Sequence, residues 1–242
     1  MKVLLVATVQ SHICQFHKPL VAMLHEHGCE VHVAARNNLA EKNGLKLDFV
    51  EQVFDVPFQR SPFSPKNLGA YKQLKKIIDE GNYDVVHCNT PVGGVLGRLA
   101  ARKARKHGTK VFYTAHGFHF YKGAPKKNWL IWYPVEKFMC RYTDKLITIT
   151  QEDYDLASAK FPTQVERIHG VGANSAKYRK LSEAECLELR HELGYADDDK
   201  LLLCTGELLP NKNQITAIRV MKALIDQQPK AKLLLAENHF PW

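Results

Sequence analysis

Apolar runs and helix-period stripes alternate along this chain. Lys2–Val9 is unbroken and apolar, the pattern of a strand buried on both faces, and Thr8-Val-Gln-Ser-His12 reads as a loop at its carboxyl end. Phe16–His27 predicts a helix closed by Gly28 at the C-cap, and Glu30–Ala35 predicts a second strand. A third strand falls within Leu47–Val56. Pro57, Pro62 and Pro65 then mark a loop before the helix Lys66–Glu80, whose Leu68, Tyr71, Leu74, Ile77 and Ile78 share one face until Gly81 stops it. Asp84–Cys88 is a short strand, and Asn89-Thr-Pro-Val-Gly-Gly-Val-Leu-Gly97 opens a helix that runs to His107. Lys110–Thr114 is the next strand. It leads into an exposed His116, and Gly117 turns the backbone. Lys145–Thr150 and Val165–His169 are further strands, separated by a helix from Gln151 with acids in its first turn. After the turn Gly170-Val-Gly172, residues 173–199 turn polar and hold a helix from Ser182, in a Ser-x-x-Glu capping box, to Leu193. The pattern then restarts as strand Lys200–Gly206, helix Gln214–Asp226 and strand Lys230–Ala236. This order predicts an α/β protein with a doubly wound domain over 1–172, a linker with a helix over 173–199, and the first β-α-β unit of a second domain over 200–242.

Composition sharpens this picture in one place. The chain of 242 residues carries a net charge of +9, yet residues 98–145 alone hold 12 Lys/Arg against Glu136 and Asp144 and so carry +10. Ten of the 23 aromatic residues lie between Phe112 and Tyr142. Charge, aromatics and histidines converge on Lys110–Lys145, which is therefore expected to be the functional face. No apolar run reaches the length of a membrane span. Thr8, Gln10, Ser11 and His12 interrupt the first apolar run before it becomes the core of a signal peptide. The six cysteines are scattered without a Cys-x-x-Cys pair, as expected for reduced core thiols of a cytoplasmic protein. Among the histidines, His25 and His27 are close in a predicted helix but two residues apart, which sends them to different faces; no metal site is expected.

The candidate chemistry sits at strand ends. The first turn lacks Gly-x-Gly-x-x-Gly, which argues against a nicotinamide or flavin dinucleotide there. His116 follows a strand at the edge where open α/β sheets bind ligands. A neutral imidazole there suits hydrogen bonding to a sugar hydroxyl or proton transfer, while the plainer reading is a loop histidine capping a carbonyl. His12 shares that edge, and His119, between Phe118 and Phe120, fits either a binding or a structural role. Asn89 to Gly97 fits an anion site at a helix start, or equally glycines that let a helix lie close to the sheet. Trp129–Val135, with Lys126, Lys127, Lys137 and Arg141, fits an anionic membrane surface. It fits a core helix with solvated basic flanks equally well, and nucleic acid ranks below both because the aromatics form one block. Pro134 is expected to kink this helix. Lys212, just before a helix, is placed to neutralise a phosphate or is simply solvated.

Taken together, Lys2–Val9 with Ser11-His12, Asp84-Val-Val-His-Cys-Asn-Thr-Pro91, Thr114-Ala-His-Gly-Phe-His-Phe120, Asn128–Asp144, Gly170-Val-Gly172 and Gly206-Glu-Leu-Leu-Pro-Asn-Lys-Asn-Gln214 resemble the GT-B glycosyltransferases of family 4, especially the bacterial enzymes of capsule and exopolysaccharide synthesis. The resemblance runs over residues 1–236. It implies two Rossmann-like domains, the first binding a lipid-linked or glycan acceptor at the inner membrane face and the second binding a nucleotide-sugar. It further implies retaining hexosyl or N-acetylhexosaminyl transfer with no metal or cofactor. By position His116 corresponds to the active-site histidine and Lys212 to the lysine that stabilises the departing diphosphate, with His12, Asn89, Gly117, His119, Gly206 and Glu207 as substrate-binding positions. Lys126, Lys127, Trp129, Trp132, Lys137 and Arg141 are expected to face the membrane, and no nucleic acid is expected as partner. The chain departs from the family pattern at Glu207, where Arg is frequent, and at Ala236-Glu-Asn-His-Phe-Pro, where Ala-Gly-x-Gly-Pro is usual. It also lacks the Glu-x7-Glu motif. A truncated copy with impaired transfer is the expectation. The alternatives are a non-catalytic membrane-surface or carbohydrate-binding module and a sugar-nucleotide epimerase.

Overall fold

A computed structural model describes residues 1–42, 44–172, 178–206, 208–210 and 212–236. These fall into two compact units that divide after Gly172. The first is a seven-stranded sheet in the order β3-β2-β1-β4-β5-β6-β7, with every neighbouring pair parallel. Its strands are β1 (Lys2–Val9), β2 (Glu30–Arg36), β3 (Gln52–Asp55), β4 (Val85–Asn89), β5 (Lys110–Ala115), β6 (Lys145–Thr148) and β7 (Gln164–Arg167). The strand order reverses between β1 and β4, so the carboxyl ends of β1, β4 and β5 form the edge where a doubly wound sheet opens to ligands.

The helices of this unit are α1 (Gln10–Phe16), α2 (Lys18–Glu26), α3 (Asn67–Gly81), α4 (Pro91–Ala100), α5 (Arg102–Lys106), α6 (Lys126–Met139) and α7 (Gln151–Lys160). Two apolar cores lie on the two faces of the sheet, one around Leu4, Val86, Phe118 and Phe120 and the other around Leu5, Ile13, Val21 and Val33. Alternate residues of β1 belong to opposite cores, which is why Lys2–Val9 reads as an unbroken apolar run.

Several expected boundaries move. The loop expected at 8–12 is absent, because α1 starts at Gln10 directly after β1. Gln10 and Ser11 are polar but buried, and Asn38 bonds both the amide and the hydroxyl of Ser11. The helix expected over 16–27 is two helices hinged at His17. Pro19, which lacks an amide hydrogen, sits in the first turn of α2, where none is needed. The third strand shrinks to Gln52–Asp55, while Leu47, Phe49 and Val50 pack on the core without joining the sheet. Leu68 is 61% exposed, off the buried face that Ala70, Leu74 and Ile78 define on α3. The helix of residues 91–107 breaks at Ala101. Four cysteines are buried, but Cys186 is exposed and Cys204 half-buried, so not all are core thiols.

The glycines of α4 pack against the sheet. A methyl group on Gly93 would sit 3.0 Å from the backbone of Ala7, and one on Gly94 would sit 2.5 Å from the Tyr113 ring. Thr8 and Thr90 occupy the start of this helix: their hydroxyls lie 2.7 Å apart, and Thr8 Oγ1 accepts from the Gly93 amide. The close-packing reading of Gly93, Gly94 and Gly97 therefore describes this segment.

The second unit holds α8 (Glu183–Glu192), β8 (Lys200–Thr205), α9 (Gln214–Leu224) and β9 (Ala231–Ala236), with β8 and β9 paired in parallel. The capping box at Ser182 and Glu185 is formed in both directions. Leu203, Leu208, Ile215, Ile218 and Val220 are exposed.

Candidate active site

Four histidines gather at the carboxyl ends of β1, β4 and β5. His12 lies in the first turn of α1, His17 at the α1–α2 joint, His87 on β4, and His116 just after β5. The His12 and His116 rings meet edge to face with centroids 4.7 Å apart; His12 and His17 are 5.3 Å apart, and His17 and His116 6.4 Å. Phe16 flanks the group, 5.0 Å from His12 and 6.0 Å from His116. His116 is half-buried rather than exposed, because α1 crosses in front of it where a loop was expected.

Hydrogen bonding fixes part of this cluster. Asn89 Oδ1 is an acceptor, so His17 donates from Nε2 across 3.1 Å, which leaves Nδ1 as a bare acceptor. His87 Nε2 lies 2.8 Å from Thr114 Oγ1. Three ring nitrogens, His12 Nε2, His17 Nδ1 and His116 Nε2, are buried with no hydrogen-bond partner among the described residues. Burial of this kind is costly unless a polar group answers it.

Burial, reinforced by His116 and His17, lowers the His12 pKa to about 3. His87 falls to about 3 and His116 to about 4 for the same reasons, burial first and neighbouring histidines second. His17 is also lowered by burial, against the opposing pull of Asn89. The group is therefore neutral near pH 7, with each ring offering one donor and one acceptor. Among the described residues no three His, Cys, Asp or Glu side chains are placed to hold a metal ion.

The predicted site residues divide. His12 and His116 come together. Gly117, at φ +127°, adopts a backbone that side chains rarely allow and turns the chain away just beyond His116. Asn89 is fully buried and holds His17, so it supports the cluster from beneath. His119 is exposed and lies 5.2 Å from the Trp132 ring, while Phe118 and Phe120 stack inward at 4.7 Å. In the second unit Gly206 ends β8 at φ +141°, and the Lys212 side chain folds over it, 3.7 Å from where a β-carbon would stand. Glu207 lies outside the described residues. Sequence reasoning missed His17 and His87, because only the strand order β1-β4-β5 brings them to His116.

The basic-aromatic segment is the helix α6, which continues through Pro134. Trp129 and Trp132 turn inward: Trp129 packs 5.6 Å from Phe120 and donates to the Tyr121 carbonyl, and both tryptophans are half-buried. Glu136, the only acid of α6, is also turned inward, where it pairs with the fully buried Arg98 at 2.8 Å. Arg98 lies over the Tyr113 ring at 3.9 Å and donates to the Gly94 carbonyl. The outward face therefore carries Lys126, Lys127, Leu130, Ile131, Lys137 and Phe138, with Leu130 79% exposed and no acid among them. Arg141 continues it in the next turn, over Phe138.

Residues 2–150 match the family described as "Glycosyl transferase 4-like". A Bacillus subtilis (strain 168) protein named "Putative glycosyltransferase EpsD" is 49% identical over 237 residues, covering 97% of this chain and 61% of its own length. The "UDP-Gal:alpha-D-GlcNAc-diphosphoundecaprenol alpha-1,3-galactosyltransferase" of Escherichia coli is 27% identical over 196 residues, 78% of this chain and 50% of its own. The chain thus spans about three-fifths and about half of these relatives. Among solved structures, a UDP-GlcNAc 2-epimerase from Neisseria meningitidis superposes with a TM-score of 0.65 at 14% identity, covering 97% of this chain and 65% of that one, a likeness of fold.

Proposed function

Because this chain belongs to the glycosyl transferase 4-like family, we propose that it serves sugar transfer, with the histidine edge as its acceptor-side reacting surface. The observation that carries this reading is the trio of buried, unpartnered nitrogens on His12, His17 and His116. In this reading a substrate hydroxyl supplies the missing hydrogen bonds. Neutral His116 accepts or donates at the sugar, and His12 and His17 fix its orientation. The donor is a nucleotide-sugar, and the transferred group a hexosyl or N-acetylhexosaminyl unit delivered with retention. Lys212 neutralises the departing diphosphate, so the reaction calls for no metal. The acceptor is a lipid-linked or polysaccharide glycan, in keeping with the diphosphoundecaprenol acceptor in the name of the Escherichia coli relative.

The outward face of α6 extends the reading to a peripheral position on an anionic membrane. Four cations interleaved with Leu130, Ile131 and Phe138 suit a headgroup layer. The contact differs from a tryptophan anchor, since Trp129 and Trp132 pack inward.

The test is transfer of labelled sugar from a panel of nucleotide-sugars to lipid-diphosphate glycans. His116→Ala is expected to lower the rate by about 100-fold or more. Transfer indifferent to that change would overturn the assignment, and isomerised donor without transfer would point to an epimerase. In the same preparations, Lys126→Glu with Lys127→Glu is expected to reduce co-flotation with anionic vesicles.

A further inference from the structure

A cavity of the first unit lies away from the histidines. It has a volume of about 690 Å³ and is walled by α3, α5, the start of β5 and the turn after α6. Its walls include seven Lys/Arg side chains and one acid, Asp144. Asp144 is fully engaged by Arg105, at 2.9 and 3.0 Å, and Lys75 pairs with Asp79. Five cations make no ion pair among the described residues, Arg102, Lys103, Lys106, Lys110 and Arg141, although Lys110 lies close enough to Asp144 to help hold its carboxyl low.

We propose that this cavity is a second ligand site, for a soluble, multiply phosphorylated anion. The carboxyl end of α5 favours cations through its helix dipole, which accounts for Lys103 and Lys106. It does not account for Lys110 and Arg141, which arrive from two other elements at the same concavity. Like charges gathered this way repel each other until an anion enters. A single phosphate, at about −1.5 to −2, balances about two of the five; a di- or triphosphate balances most of them, within a volume suited to a small ligand. Lys110 begins β5 and His116 follows its end, so the strand sets the two sites roughly 20 Å apart. This site is independent of the chemistry proposed at the histidine edge, and shares only Arg141 with the outward face of α6.

Calorimetric titration of the whole chain with inorganic tripolyphosphate tests the proposal. Saturable binding is expected, and Lys103→Glu with Lys106→Glu is expected to weaken it by about tenfold or more, equivalent to ~1.4 kcal/mol per decade. Arg219→Glu with Lys222→Glu, on the exposed face of α9, makes the same change of charge outside the cavity and is expected to bind as the parent does. Glycerol phosphate, which carries one phosphate as a lipid headgroup does, is expected to bind more weakly. No saturable binding by the parent chain, an equal loss in the α9 variant, or equal affinity for glycerol phosphate would each overturn the assignment.

Discussion

At the scale of single residues, the histidine cluster ties stability to pH. His12, His87 and His116 hold folded pKa values near 3, 3 and 4, and His17 is lowered in the same direction. The unfolded chain takes up protons near the ordinary imidazole value of about 6.5, ahead of the folded one. Stability is therefore full above that value and falls as pH drops from it towards 4, because the unfolded state binds more protons throughout that window. Urea midpoints measured from pH 7 to 4.5 should fall steeply, and His12→Phe should flatten the slope by up to one proton. A pH-independent midpoint in the parent chain would contradict the burial of these rings. His12 and His116 were legible from their places after strands. His17 was not, because its partner Asn89 lies 72 residues away, and neither residue has a neighbour in sequence that hints at the other.

At the scale of elements, the Arg98–Glu136 pair decides how α6 sits. Removing one member of a buried pair leaves an uncompensated charge, at a cost of about 3–5 kcal/mol. Glu136→Gln is expected to lose stability of that order in urea unfolding, and Arg98→Met combined with Glu136→Leu to recover most of it. A Glu136→Gln variant as stable as the parent would mean that Arg98 finds water. Sequence left the sense of α6 open between an interfacial helix and a core helix for a related reason. Its tryptophans resemble an interfacial belt when only composition is considered. Phe118, Phe120 and Phe161, however, form an aromatic floor that draws Trp129, Trp132 and Tyr133 inward. Apart from β3, the strands were legible to within about two residues, since β1, β2 and β5 are apolar runs bounded by glycine or polar residues. Helix breaks were less so: Pro19 restricts the one at His17 to a helix start just before it, whereas the one at Ala101 has no such residue and depends on packing.

At the scale of the molecule, the second unit keeps few of its apolar side chains from water. Leu203 on β8 and Ile218 on α9 are 65% and 50% exposed. Surfaces of this kind promote association. Leu203→Lys with Ile218→Glu is expected to reduce concentration-dependent self-association in size-exclusion chromatography and leave the unfolding of the seven-stranded sheet unchanged. Undiminished association would place the sticky surface elsewhere. The strand–helix restart after residue 199 made this unit visible in sequence. Its exposed faces were less visible, because a stripe of Leu and Ile reads the same whether or not something covers it.

The strand order also governs how the chain must fold. β1 and β4 lie side by side at the middle of the sheet, yet Val3 and its partner Val85 stand 82 residues apart. Ends that distant meet at an entropic cost that local hairpins avoid, and sheets built from such pairings fold slowly. On the ribosome, β1, β2 and β3 emerge with one edge of β1 still unpaired. That edge stays open until β4 arrives, which makes the newly made first third of the chain an aggregation-prone stage.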